Sequence, residues 1–267
     1  MRYTNYYPSS GMYHVSIPLL MGTRLDVLLF GDDRQALEYV WNDAEAELRR
    51  LEKMLNRFDH ESEVAKVNAD AQFSSVRLSD ELWEILLDCR RYYDLTDGYF
   101  DITLSDFGKI VFMEETHSIL LDKYGLMLDF GGYAKGYALK CVRERFAGAG
   151  IERALVNFGN SATLAVGTHP YGDSWPVCFE DPCGRTAPVK IDLRDTSMSV
   201  SGNMPSHPEH IVNTKTAEFV RGDRMVAVVS DDPVDAEVLT TAWIASENER
   251  EPDWMGKFEL RNTYKII

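Results

Sequence analysis

The order of strand-like and helix-like stretches in this sequence predicts a mixed fold and excludes both an all-α and an all-β one. Two observations carry that prediction. Apolar residues recur at steps of three and four over 37–58, 82–93 and 134–146, the period of a helix with one face in a core. Between them stand short apolar or alternating runs bounded by Gly, Asp and Asn, at 12–20, 25–30, 126–130, 153–158, 162–166, 189–193, 197–201 and 225–229. These read as strands.

The first two runs meet at Met21-Gly22-Thr23, and a hairpin is the simple reading. The longest helix follows, with Leu37, Val40, Trp41, Ala44, Leu48, Leu51, Leu55 and Phe58 on one face and charged residues on the other. It spans roughly 35 Å and covers a core. Residues 58–71 are polar, with a short helical pattern ending near Asn68. Ser79 is an N-cap, and Asp80 and Glu81 complement the helix dipole in the first turn. That helix runs out at Thr96-Asp97-Gly98. The loop after it offers Tyr99, Asp101 and Thr103, a ring beside hydrogen-bonding groups; the plainer reading is a turn followed by buried Phe100 and Ile102. Residues 104–123 carry mixed signals and support no assignment.

The chain is organised around residues 124–146. A strand over 126–130 breaks at Gly131-Gly132 and restarts as a helix through Ala134, Tyr137, Ala138, Cys141, Val142 and Phe146. A diglycine at a helix start gathers free N–H groups and the positive end of a dipole, a place for a phosphate or other anion. Glycine lets the backbone approach a ligand where a Cβ would block it, and Lys135 adds a positive charge in the first turn. The motif is neither a P-loop nor GxGxxG, and the same kind of turn joins many strands to helices without any ligand.

Gly148 to Gly150 closes this helix. The strand at 153–158 ends in Asn157-Phe158-Gly159-Asn160, and 168–188 reads as loop despite Trp175 and Phe179. A loop over 202–209 leads to His210-Ile211-Val212-Asn213. In the last helix Asp232 is the N-cap, Pro233 sits at N1 and Asp235 at N3. Beyond them the helix is apolar nearly all round, hence buried, yet Glu237 and Thr241 share one of its faces. A bare buried carboxylate is costly. Its partner is a hard cation such as Mg²⁺, for which a carboxylate and a hydroxyl are suitable ligands, or a Lys or Arg; otherwise the helix is half exposed.

A length of 267 residues suits one large domain or two lobes sharing a core. A net charge of −15 argues against nucleic acid as partner but not against one small phosphorylated ligand. No apolar run reaches membrane-spanning length. Cys89 and Cys141 lie in apolar helix patterns; Cys178 and Cys183 lack zinc-site spacing. The first twenty residues hold no apolar export core, cleavage site or lipobox-like Leu-x-x-Cys, which as written predicts a cytoplasmic protein. An extracytoplasmic location is expected only if a leader has been removed.

Several landmarks occur in a telling order: Met21-Gly22-Thr23, Ser62-Glu63, Gly98-Tyr99-Phe100-Asp101-Ile102-Thr103, Leu128-Asp129-Phe130-Gly131-Gly132-Tyr133-Ala134-Lys135-Gly136-Tyr137-Ala138, Val156-Asn157-Phe158-Gly159, Ser201-Gly202, His210-Ile211 and 236–242. Over about residues 21–246 the sequence resembles the ApbE family of FAD:protein FMN transferases, the LDFGGYAKGYAL block being the specific part. The resemblance implies an α+β fold, a single domain over 1–267 in which helices flank mixed sheets and two lobes enclose a ligand cleft. It implies a Mg²⁺-dependent reaction that cleaves the pyrophosphate of FAD, passes FMN to a Thr or Ser of a carrier protein and releases AMP. Met21, Tyr99, Asp101, Gly131, Gly132, Lys135, Asn157 and Gly159 would bind FAD, with the diglycine and Lys135 near the pyrophosphate and Tyr99 meeting an aromatic ring. The Ala134 carbonyl, Glu237 and Thr241 would hold the metal. His210 would activate the acceptor hydroxyl, a task for neutral imidazole; its plainer role is to cap a strand and bond Glu209.

The sequence also departs from the family pattern. Glu237 stands where the family has Asp. The segment from His210 to Ala217 keeps its His and Thr but loses Asp, Pro and Gly, and Asn157-Phe158-Gly159-Asn160-Ser161 lacks a second Gly and an acid. Two alternatives therefore stand beside transfer: a protein that binds FAD without transferring FMN, and an FAD pyrophosphatase that yields FMN and AMP.

Overall fold

The computed structural model describes residues 2–266 apart from 160, 182, 185 and 204–210. From the N-terminus, β1 (Tyr3–Tyr7), β2 (Met12–Leu20) and β3 (Thr23–Phe30) form a meander, followed by α1 (Arg34–Leu55) and α2 (Glu63–Asp70). Next come β4 (Val76–Arg77), α3 (Asp80–Leu95), β5 (Ile110–Met113), β6 (Ser118–Leu121) and α4 (Ala134–Gly148). The second half holds β7 (Ala154–Phe158), β8 (Ala162–Val166), β9 (Trp175–Phe179), β10 (Val189–Leu193), β11 (Ser197–Asn203), β12 (Val212–Asn213) and β13 (Glu218–Phe219). It closes with β14 (Arg224–Ser230), α5 (Pro233–Ala245) and β15 (Leu260–Ile266).

Eight strands form one sheet in the order β1-β2-β3-β7-β8-β11-β14-β15, with every neighbouring pair antiparallel. The helices cover one face. Val226 and Val228 of β14 join a core with α1 residues Trp41 and Leu48 and α5 residues Val238 and Leu239. The other face of β14, Met225, Ala227 and Val229, packs with Trp175, Phe179, Ile191 and Leu193 of the β9–β10 hairpin. Burial on both faces explains why β14 reads as a continuous apolar run rather than an alternating one. The small sheet β4-β6-β5 contributes Ile110, Ile119 and Leu121 to the first core. Among the described residues no helix is long and apolar enough to cross a membrane.

Local chemistry sets the helix boundaries. Asp33, Ser62, Ser79 and Asp232 cap the N-termini of α1, α2, α3 and α5 with side-chain oxygens. Three expectations are corrected, and one unassigned stretch is resolved. Helix α1 ends at Leu55, not at residue 58, because Asn56 turns extended (φ −77°, ψ 100°); Phe58 is thereby turned out of the core and is 82% exposed. Residues 175–179 form a strand whose buried ends are Trp175 and Phe179. Residues 104–123, unassigned from the sequence, hold β5 and β6 of the small sheet. Finally, residues 126–130 join no ladder.

The last difference has a clear cause. The Asn68 amide clamps Leu128 from the side: its Oδ1 accepts from the Leu128 N–H (2.7 Å) and its Nδ2 donates to the Leu128 carbonyl (3.0 Å). The Asp129 N–H donates to the Ile102 carbonyl at 2.6 Å. One side chain thus does the work of a neighbouring strand. Asn68→Ala orphans both groups in a buried setting and is expected to cost about 3 kcal/mol in urea unfolding, and Asn68→Asp, which sets a carboxylate oxygen against the Leu128 carbonyl, is expected to cost at least as much at neutral pH.

Candidate functional site

The N-terminus of α4 is built by a tight turn. Tyr133 and Ala134 both donate their N–H to the Phe130 carbonyl (2.9 and 2.8 Å), and Asp129 Oδ1 accepts from the Gly131 N–H (2.8 Å). The three glycines of this block have different neighbours. Gly131 is exposed and lines a cleft. A Cβ on Gly132 would lie 2.9 Å from Thr241 Cγ2, and one on Gly136 would lie 2.7 Å from the Pro233 carbonyl oxygen and 2.8 Å from Glu237 Cβ. Gly136 lets the backbones of α4 and α5 approach, and Gly132, just before α4, makes room for the Thr241 side chain, so the small size of both serves the packing against α5.

That contact brings together residues more than a hundred positions apart. Lys135 Nζ lies 2.5 Å from Glu237 Oε1, with the carboxylate 5% and the lysine side chain 19% exposed. Glu237 Oε2 accepts from Ser199 Oγ at 2.9 Å, and Ser201 Oγ donates to Thr240 Oγ1 at 2.9 Å. The Thr241 hydroxyl donates to the Glu237 carbonyl at 3.1 Å. Of the partners the sequence left open for this carboxylate, a lysine stands there.

Lys135, Ala134 and Gly131 form one wall of a cleft of about 280 Å³. Met21 and Gly22 form another, in a turn with positive φ at both (49° and 78°) that is held by the Met21 N–H donating to Glu52 Oε1 at 2.7 Å. Arg57, Phe58 and Asp129 complete it. Arg57 Nε lies 2.8 Å from Asp129 Oδ2, and its guanidinium sits 4.5 Å from the centre of the Phe58 ring. The Arg57–Asp129 pair also borders a second recess of about 230 Å³, reached by Thr103, Leu104, Lys123, Tyr124 and Met127.

The structure therefore gathers Met21, Gly131, Ala134 and Lys135 around one cleft, with Gly132, Glu237 and Thr241 directly behind it. The other candidates are not among the residues that line it. Asp101 is buried and accepts from the Thr103 N–H and hydroxyl and the Phe107 N–H, closing its own turn; burial pushes its carboxyl above the usual range. Tyr99 is half-buried against Lys215, whose ammonium lies 5.5 Å from its ring centre. Asn157 accepts a long hydrogen bond from Thr163 Oγ1 (3.5 Å). Gly159 has φ +52° and a Cβ there would lie 1.9 Å from Thr23 Oγ1, so it serves the turn beside Met21-Gly22. His210 lies outside the described residues. Arg57 and Phe58 also line the cleft, although the sequence pattern sets Phe58 on the buried face of α1 and does not single out Arg57. The available signal was an aromatic at the start of a polar run, which a helix ending three residues earlier leaves in solvent.

The oxygen donors behind the cleft suit a hard cation. They comprise the Glu237 carboxylate, now held by Lys135 and Ser199, and the Thr241 hydroxyl. Among the described residues there is no cluster of three His, Cys, Asp or Glu able to hold a metal by itself.

A family model described as the ApbE family matches residues 21–118 and 105–263. Among curated proteins, the chain is 28% identical over 149 residues to an FAD:protein FMN transferase of Rhodobacter capsulatus, covering 53% of this chain and 28% of that one. It is 25% identical over 171 residues to one of Klebsiella pneumoniae, covering 60% and 52%. For one of Chlamydia muridarum the figures are 22% over 250 residues, 79% and 77%. The chain thus spans about half or less of the length of the first two. Among solved structures, the flavin transferase ApbE from Vibrio cholerae aligns at a TM-score of 0.78 with 18% identity, covering 90% of this chain and 88% of that one. The apo flavinyl transferase ApbE of Pseudomonas stutzeri aligns at 0.76 with 22% identity, covering 88% and 84%. Both establish the α+β fold.

Proposed function

Because this chain belongs to the ApbE family, we propose that it transfers FMN from FAD to a Thr or Ser hydroxyl of a carrier protein, in a Mg²⁺-dependent reaction that releases AMP. The observation that carries this reading is the cleft at the N-terminus of α4, where Lys135 and the exposed Gly131 backbone face the same space. A helix N-terminus and an ammonium suit a pyrophosphate. In the transfer, the acceptor oxygen bonds to the FMN phosphorus, the bond to the AMP oxygen breaks, and the hydroxyl proton passes to a base. His210 is the residue assigned to take it. When bound, Mg²⁺ offsets charge on the pyrophosphate; Glu237, Thr241 and the Ala134 carbonyl are the groups to hold it.

Phe58, stacked on Arg57 at the cleft mouth, offers a flat face to an aromatic ring of the dinucleotide. This geometry favours Phe58 over Tyr99 for that role. Phe58→Ala is expected to weaken FAD binding about tenfold in a flavin fluorescence titration with no loss of thermal stability, since the ring is exposed. Tyr99→Ala is expected to change affinity less. The reverse ranking would move the flavin toward Lys215 and sink this placement. A binding protein without transfer remains a second reading, favoured by the fact that Glu237 already has a cation partner.

A further inference from the structure

We propose that Lys135 is a built-in counter-ion that closes Glu237 to a divalent cation until the phosphates of the dinucleotide draw it away, so that nucleotide and metal bind in that order. The inference rests on the reading of the cleft as a dinucleotide site and adds to it a coupling between two ligands.

The geometry of the pair leads there. Both Glu237 oxygens are engaged, one by Lys135 Nζ at 2.5 Å and the other by Ser199 Oγ at 2.9 Å. Lys135 is the one cation at ion-pair distance from this carboxylate among the described residues. A divalent ion needs a carboxylate oxygen at about 2.1 Å, and an ammonium already on that oxygen repels it in a weakly screened interior. Metal and lysine are thus alternatives for Glu237. The lysine is also a wall of the cleft, so it has a second place to go once an anion lies at the α4 N-terminus.

The helices themselves hold still during such an exchange. Gly136 follows Lys135 in sequence, and a Cβ there would lie 2.8 Å from Glu237 Cβ and 3.0 Å from Val234 Cα. The backbones are already in contact, which leaves rotation of the flexible lysine stem as the way to part the pair. The charge count is preserved throughout. Without ligand, ammonium and carboxylate cancel; with ligand, the ammonium faces phosphate and the metal faces the carboxylate. A lysine in this place also avoids the cost of a bare buried carboxylate in the empty site. By linkage, FAD then tightens metal binding and metal tightens FAD binding by one common factor.

Mn²⁺ read by electron paramagnetic resonance tests this on the intact protein, with and without FAD, after correction for Mn²⁺ held by free FAD. The expected result is weak Mn²⁺ binding alone and binding about tenfold or more tighter with FAD. Lys135→Met is expected to bind Mn²⁺ tightly without FAD and to gain thermal stability from it, whereas Lys135→Arg, which keeps the charge, behaves as the natural protein does. Equal Mn²⁺ affinity with and without FAD in the natural protein overturns the proposal, as does a Lys135→Met variant that gains none. If Lys135→Met does not fold, Lys135→Gln takes its place, since ligation by the phosphates of FAD would by itself tighten Mn²⁺ binding in the natural protein. If FAD fails to bind, the reading of the cleft falls, and the Mn²⁺ affinities of the natural protein and Lys135→Met still decide whether the lysine blocks the carboxylate.

Discussion

Gly136→Val is expected to destabilise the protein by about 3 kcal/mol or more in urea unfolding. Its Cβ would meet the Pro233 carbonyl oxygen at 2.7 Å, Glu237 Cβ at 2.8 Å and Val234 Cα at 3.0 Å. Two of these neighbours are backbone, so no rotamer relieves them. They belong to the first turn of α5, fixed by the Asp232 cap and by Pro233 at N1. One turn further on, Val238, Leu239 and Ala242 are fully buried. Helix α5 can therefore yield only by lifting off β11 and β14. Gly136→Ala carries the same Cβ and is expected to show most of the loss. Retained stability in both would mean that the two helices approach less closely than described and that the Lys135–Glu237 pair is free to part by helix motion.

Glu237→Gln is the second large effect. The substitution keeps the shape, and its amide oxygen still accepts from Ser199, but it removes the charge that balances Lys135 and that would hold a metal. Flavin transfer is expected to fall about 100-fold or more. FAD affinity is expected to persist, because Lys135 loses its competing anion and turns wholly to the pyrophosphate. A steady-state split, with turnover lost and FAD binding kept, separates this role from a general weakening of the fold. Glu237→Ala removes the hydrogen bonds as well and is expected to cost about 3 kcal/mol of stability in addition. Full transfer activity in Glu237→Gln would remove the carboxylate from the mechanism.

What the sequence made legible was local. The caps at Ser79 and Asp232 follow from a side chain bonding its own first turn, so three or four neighbours suffice to read them. Asp235 belongs to that start and also accepts from the Tyr92 hydroxyl at 2.6 Å, a contact 143 residues away that no local pattern carries. The LDFGGYAKGYAL block lies at a cleft, and its residues divide between that cleft and the packing of the helices. Gly131 and Lys135 face the cleft, whereas Gly132 and Gly136 face α5, and only the packing of the two helices distinguishes them. The run at 126–130 resembles a strand because its apolar pattern is all that a sequence displays; its Leu128 is instead held by the side chain of Asn68. β15, with Arg261, Asn262, Thr263 and Lys265, has too polar a pattern to announce itself, yet it closes an edge of the main sheet against β14. Glu237 was recognisable as a buried carboxylate in need of a partner, and the identity of that partner waited on the meeting of α4 and α5.

The most direct test of the proposed transfer mixes the purified protein with FAD and a peptide bearing the acceptor threonine of the family, with and without Mg²⁺. Released AMP is followed by chromatography and covalent flavin by fluorescence on the peptide. The result expected is AMP that requires Mg²⁺ and matches the flavin gained by the peptide, with Glu237→Ala and His210→Ala losing both. FAD that binds but yields no AMP with Mg²⁺ or Mn²⁺ would contradict the assignment and leave a flavin-binding protein in its place.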